Sequence, residues 1–324
     1  MSVERAAGLI RAGKLVAFPT ETVYGLGANA LDAAAVERIF RAKGRPRTIP
    51  LIVHVDSVEM ARTLASRWPD AAETLARRYW PGPLTLVVPK RQPSQSSGAD
   101  HRFSWSAGAE SEGGRRQKTI VCPTIPDIVT AGLPTVALRM PAHPLALALI
   151  RAAGVPIAAP SANRFTELSP TAAAHVPESL ADYVLDGGPA SVGIESTVLS
   201  LVGAPLLLRP GVIPLPEIEA LIGPVGIAAE PAQGPRESPG MHPRHYRPAT
   251  PLYLLAPGAP PPAGNGAWLR IGREMPAGPR EYAAALYETL HRLDQRRPDW
   301  IAVERPPDTP EWAGVLDRLR RAAE

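Results

Sequence analysis

Three short segments of the 324-residue chain join hydroxyls, amides or charges to backbone that Gly or Pro makes rigid. The first, Pro19-Thr20-Glu21-Thr22-Val23-Tyr24-Gly25-Leu26-Gly27, follows an apolar run. Its glycines let backbone N–H groups approach a ligand, and its threonine hydroxyls can bond a small polar substrate. An ordinary strand-to-helix turn has the same composition. The second, Lys43-Gly44-Arg45-Pro46-Arg47, sets three cations at the expected end of a helix. Cations there can simply cap the helix and face water. Gly44 and Pro46 nevertheless put Lys43 and Arg45 on a rigid non-helical segment. A fixed Lys-x-Arg pair suits phosphate, with Arg supplying paired donors and Lys a point charge. The third, Ser161-Ala162-Asn163, leaves another apolar run and could bind a polar ligand or close a local turn on itself.

Other residues add to this set. Arg139 ends an apolar run before Met140-Pro141, where it can receive a carboxylate or pair with an acidic neighbour. His54 sits inside Leu51-Ile-Val-His-Val55 and reads as a satisfied core or edge residue. It has no His or carboxylate partner at ligand spacing, so no protein metal site is expected. Glu195-Ser196-Thr197, Arg209-Pro210-Gly211 and Arg244-His245-Tyr246 complete the candidates. Neither a Walker sequence nor a Gly-x-Ser-x-Gly elbow occurs, so phosphate is not expected on a P-loop, nor a serine nucleophile on an elbow.

The elements that must hold these residues alternate irregularly. Ser2 can cap a helix over 3–12, and Lys14-Leu-Val-Ala-Phe18 reads as a strand stopped by Pro19. Asp32 begins a helix over 33–42, a strand follows at 51–55, Asp56 can cap the next helix, and another helix lies near 70–78. Strands are expected at 84–88, 135–139, 156–159, 182–185, 197–201 and 205–209, and helices at 144–152 and from Thr171. Such mixing argues for a mixed-sheet α/β or α+β arrangement over 1–222. Arg91 to about 121 is rich in Ser, Gly, Gln and charge and reads as a flexible insertion. Residues 223–247, rich in Pro and Gly, read as a linker. The remainder, 248–324, has strands near 252–255, 267–271 and 300–303 and helices near 280–294 and 311–322, a small α/β module.

Composition sets outer bounds. Hydrophobic residues make up 45% of the chain and aromatics 5%, so the core must be mostly aliphatic, which suits α/β layers. Cys122 is the single cysteine, which excludes an internal disulfide framework and a Cys-cluster zinc site and fits a cytoplasmic location. No apolar run reaches a membrane span, and Met1-Ser-Val-Glu-Arg opens an amphipathic helix, not a signal peptide. A net charge of +4 suits polyanionic ligands, though an Arg-favouring composition gives the same sum.

Taken in order, Pro19–Gly27, Lys43-Gly-Arg45, Ser161-Ala-Asn163, Glu195-Ser-Thr197, Leu208-Arg-Pro-Gly211, Ser238-Pro-Gly-Met241 and Arg244-His-Tyr246 closely resemble the YrdC-like family of threonylcarbamoyl-AMP synthases, in its long two-part form. The resemblance implies a YrdC-like twisted mixed sheet with flanking helices, followed by a small Rossmann-like α/β domain. It implies condensation of L-threonine, bicarbonate and ATP, with magnesium on the ATP, to threonylcarbamoyl-AMP and pyrophosphate. A separate tRNA threonylcarbamoyl transferase machinery would consume that product, and a weak contact with tRNA is compatible with the charge. Carried over by position, Thr22, His54, Arg139, Ser161 and Ser196 would bind threonine. Arg45, Thr135, Asn163, Thr171, Arg209 and Tyr246 would bind ATP, and Lys43 and Arg45 would act on the phosphates. Ile49 stands where the family commonly has a small polar residue, which leaves that contact to Thr48 or backbone, or loses it. The alternatives are a non-catalytic RNA-binding module of the same shape and a related carbamoyl-transfer enzyme.

Overall fold

The computed structural model describes residues 2–92, 123–228 and 246–323. Most of the insertion expected at 91–121, Cys122, and the Ser238–Met241 and Arg244-His245 motifs lie outside the described residues.

The larger part is built on one mixed sheet. Its strands are β1 (Val16–Phe18), β2 (Gly25–Asn29), β3 (Ile52–His54), β4 (Leu84–Pro89), β5 (Thr135–Arg139), β6 (Ile157–Ala158), β7 (Tyr183–Val184), β8 (Thr197–Ser200), β9 (Leu206–Arg209) and β10 (Gly226–Ile227). Among the described residues their order is β10-β9-β8-β4-β5-β3-β6-β2-β1-β7, with parallel and antiparallel pairs mixed. The helices are α1 (Val3–Arg11), α2 (Ala33–Lys43), α3 (Val58–Leu64), α4 (Asp70–Tyr79), α5 (Asp127–Thr130), α6 (Pro144–Ala153) and α7 (Leu215–Ile222).

Strand periodicity decides which face carries chemistry. Val136 and Leu138 of β5 join the main helix-covered core, with Val53, Leu86 and Leu199. Ala137 points the other way and packs with Ile52, Val87, Val198 and Leu208 in a separate small cluster. His54 and Arg139 continue that second face by the two-residue repeat, and they are paired in register between β3 and β5.

Local signals explain the helix that leads to the first cation. Asp32 caps α2 by accepting from the N–H of Ala34 and Ala35 at 2.9 and 3.2 Å. Val36, Ile39 and Phe40 bury its apolar stripe. Gly44, at φ +64°, ends it in the left-handed region where a Cβ would be strained, and so turns Arg45 off the helix axis.

Several expectations need correction. Pro19–Gly27 is not only a turn, because Gly25–Asn29 forms β2 between β1 and β6. Glycine hid this strand: a Cβ on Gly27 would lie 2.8 Å from both Phe18 and Ile157. The helix expected from Thr171 is a single 3-10 turn, Ala173–His175, because Pro177 holds Val176 extended. Ser57, not Asp56, caps α3 through the Met60 N–H at 3.1 Å. Helices α5 and α7 were not anticipated, and β10 falls inside the stretch read as linker.

The smaller part is a parallel three-stranded sheet, β11 (Leu252–Leu255), β13 (Trp300–Glu304) and β12 (Gly266–Leu269) in that spatial order, with α8 (Pro279–Asp294) and α9 (Ala313–Ala322). Its core takes in Val23, Leu168 and Ile194 of the larger part alongside Tyr246, Tyr282, Leu286 and Tyr287.

Candidate active site

A cleft of about 530 Å³, counting its solvent-open mouth, collects residues at or just past the ends of β1, β3, β5, β6 and β9. Thr20, Thr22, Arg45, His54, Arg139, Ser161, Glu195, Arg209 and Tyr246 all line it. Strand ends suit this purpose because the sheet fixes their positions while the loops beyond remain open to a ligand.

One half of the cleft is held by the sheet. Thr20 Oγ1 donates to the Val23 carbonyl at 2.6 Å, accepts the N–H of Thr22 and Val23, and lies 2.9 Å from Thr22 Oγ1. This Thr20 turn fixes the Thr22 hydroxyl. Arg139 Nη2 donates to Glu21 Oε1 at 2.7 Å, Arg139 Nε donates to the Gly82 carbonyl at 3.3 Å, and the Ala142 N–H holds Glu21 Oε2 at 2.9 Å. Glu21 therefore aims Arg139. Sequence reasoning quoted Glu21 but gave it no role, although it is the one acid among these hydroxyls. His54 rests edge-on against Phe18, ring centroids 5.8 Å apart. Burial first, then Arg139, drives its pKa down to about 3, so the ring is neutral at ordinary pH. Its Nδ1 is buried without a hydrogen-bond partner.

The other half depends on loops. Arg45 is buried, donates through Nη2 to the Pro50 and Ile49 carbonyls at 3.1 and 3.5 Å, and has no partner at Nε. Ile49 thus contributes backbone, not side chain, to this corner. Burial, with Arg209 nearby, lowers the Arg45 pKa to about 10, which leaves it charged. Arg209 at the end of β9 donates to the Ser196 carbonyl through Nε and Nη2 at 3.1 and 3.0 Å, and to Ser196 Oγ at 3.2 Å. Tyr246 is buried at a positive φ of 64°, lines the cleft and packs against the smaller part's core.

Other expected residues stand behind the cleft. Lys43 gives its protons to the Ser161 carbonyl at 2.6 Å and to the carbonyl and Oδ1 of Asn163. Burial and then Arg45 pull its pKa well below the ordinary lysine value, while the Glu167 carboxylate opposes that shift. In this structure Lys43 pins the loop that carries Ser161. The Asn163 amide donates to the Arg164 and Glu167 carbonyls at 2.9 and 2.8 Å, which folds the same loop on itself. Ser196 faces Thr85, with their hydroxyls 2.8 Å apart. The Thr171 N–H reaches His175 Nδ1 at 3.3 Å. Thr135 begins β5 on the same face as Arg139 but four residues away, about 13 Å at strand rise.

A mixed sheet whose strand ends gather three buried arginines, a neutral histidine and paired threonine hydroxyls forms a cleft suited to an anionic ligand beside a small polar one. The Sua5–YciO–YrdC family model, described as telomere recombination, matches residues 8–103 and 115–211, and the model for the C-terminal domain of threonylcarbamoyl-AMP synthase matches 213–324. The chain belongs to the threonylcarbamoyl-AMP synthase family. It is 40% identical to the Bacillus subtilis threonylcarbamoyl-AMP synthase over 99% of this chain and 92% of that protein. It is 47% identical to the Pyrococcus abyssi threonylcarbamoyl-AMP synthase over 77% of this chain and 66% of that protein. The crystal structure of P. abyssi Sua5 complexed with L-threonine superposes with a TM-score of 0.83 at 38% identity, covering 99% of this chain and 94% of that one.

Proposed function

We infer that the protein condenses L-threonine, bicarbonate and ATP to threonylcarbamoyl-AMP and pyrophosphate. The observation that carries this reading is Arg45. It is a buried guanidinium whose bonds run to backbone carbonyls and whose Nε has no protein partner, in a cleft shared with Arg139 and Arg209. A buried charge without a counter-ion is costly, and an anionic ligand removes that cost. His54 Nδ1 is a second buried polar atom without a protein partner.

The two halves divide the substrates. Thr22, His54, Arg139 and Ser161 take threonine, with Arg139 on its carboxylate. Arg45, Arg209 and Tyr246 take the phosphates and the nucleoside. Thr135 can join only if the ligand spans the roughly 13 Å along β5, which suits an extended nucleotide. Ser196, Asn163 and Thr171 reach the ligand after local rearrangement or act through Arg209, Lys43 and His175. The threonine amine attacks bicarbonate carbon, giving the carbamate with loss of water. A carbamate oxygen then attacks the α-phosphorus and pyrophosphate leaves. Fixed guanidiniums contribute most as charge builds on the phosphoryl oxygens.

Magnesium fits as an ion brought in by ATP. Magnesium needs few protein ligands beside phosphates and water. Its chemistry is to neutralise phosphate charge. We assign catalysis to residues 1–222, a linker to 223–247 and the smaller unit to 248–324. A separate transferase would pass the product to tRNA in the cytoplasm. No helix among the described residues is long and apolar enough to cross a membrane.

Incubating pure protein with ATP, magnesium, threonine and fresh bicarbonate should give pyrophosphate that depends on threonine. Release independent of threonine, or none at all, overturns this function.

A further inference from the structure

The nucleotide half of the cleft is held from outside its own sheet. Arg318 lies on α9 of the smaller part, and its side chain is fully buried. It donates from Nε to Glu195 Oε2 at 2.7 Å, from Nη2 to the Glu195 carbonyl at 3.1 Å, and from Nη1 to the Pro210 carbonyl and Asp317 Oδ2 at 2.8 and 2.7 Å. Its guanidinium carbon sits 5.3 Å from the centroid of the Tyr246 ring. Glu195 also accepts from Ser169 Oγ at 2.5 Å and from the Tyr287 hydroxyl at 3.2 Å.

These partners border the cleft. Glu195 precedes Ser196, and Pro210 follows Arg209, whose guanidinium is bonded to Ser196. One side chain thus ties the entry to β8, the exit from β9 and the Tyr246 ring that lines the cleft. Docking is close enough to transmit this. A Cβ on Gly314 of α9 would lie 2.4 Å from the Gly211 carbonyl, and one on Gly193 would lie 2.3 Å from the Ala283 carbonyl. A buried ion pair is weak evidence of net stability, so its use here points to geometry.

We propose that Arg318 is a positioning residue for the nucleotide half of the site, holding Glu195, the Arg209–Pro210 turn and Tyr246 in the arrangement that receives ATP. This rests on the proposed function. Without Arg318, the stranded Glu195 carboxylate turns to Arg209 and withdraws it from the phosphates. Arg318→Met should weaken ATP at least about tenfold while threonine affinity changes less than about threefold. Adding Glu195→Gln removes the stranded charge and should bring ATP affinity back to within about threefold of the Glu195→Gln single variant. Arg318→Lys keeps the charge but loses the forked contacts to Pro210 and the Glu195 backbone, and should fall between.

The measurement is calorimetric binding of a non-hydrolysable ATP analogue, and separately of threonine, to full-length protein, with a melting curve for each variant. Direct binding reads the proposal even if pyrophosphate assays fail, so the two claims fall separately. If Arg318→Met does not fold, the Lys variant carries the test on the same readout. A lower melting temperature with unchanged ATP affinity, equal losses for ATP and threonine, or no coupling with Glu195→Gln would overturn the proposal.

Discussion

Two arginines in one cleft are held in opposite ways. Arg139 ends a central strand, pairs with Glu21 and lies in register with His54. Arg45 follows a helix cap, bonds backbone carbonyls, and among the described residues has no carboxylate at salt-bridge distance. The first is neutralised before any ligand arrives; the second is left for the ligand to neutralise. The half we assign to threonine is therefore pre-organised by the sheet, whereas the half we assign to the nucleotide holds Arg45 without a counter-ion and depends on loops and on the smaller part.

That contrast can be broken by substitution. Arg139→Ala should have the largest effect. It strands the buried Glu21 carboxylate, costing about 3–5 kcal/mol of stability, and lowers kcat/KM for threonine about 10²–10³-fold. Melting curves and threonine titrations check both. Arg45→Ala strands no acid, so the melting temperature should hold or rise while kcat/KM for ATP falls about 10–100-fold. A large loss of stability there would contradict the picture of an unneutralised charge.

Lys43→Met should act on the loop between the halves. It leaves oxygens of Ser161 and Asn163 without their donor, costs about 1–3 kcal/mol, and speeds hydrogen exchange at 161–163. Unchanged exchange would return Lys43 to the phosphates. The smallest effect is pH-dependent. The His54 pKa is near 3 folded and near 6.5 unfolded, so the unfolded chain binds the extra proton between those values. Its contribution is present above about pH 6.5 and is lost as pH falls towards 3. His54→Gln should flatten the acid limb of stability against pH; an unchanged limb would mean that His54 titrates normally.

Much of this was legible from residue types. Asp32 and Gly44 announced α2 and its end, and the Arg139 and Ser161 motifs mark cleft positions that the structure keeps. The hidden part has physical causes. Glycines that let Phe18 and Ile157 close over β2 carry no strand signal, and Pro170 and Pro177 bracket a segment too short for the expected helix. The hold of Lys43 on the Ser161 loop was hidden because its acceptors lie 118 or more residues away in the chain. Arg318 sits among charged neighbours, and its only sequence signal is sharing a helical stripe with Val315, Leu319 and Ala322.

The division of the cleft is tested most directly by threonine titrations, without nucleotide, of the wild type and Arg45→Ala. The account predicts dissociation constants within about twofold of each other, while the variant loses ATP at least about tenfold. A parallel loss of threonine and ATP affinity would contradict it.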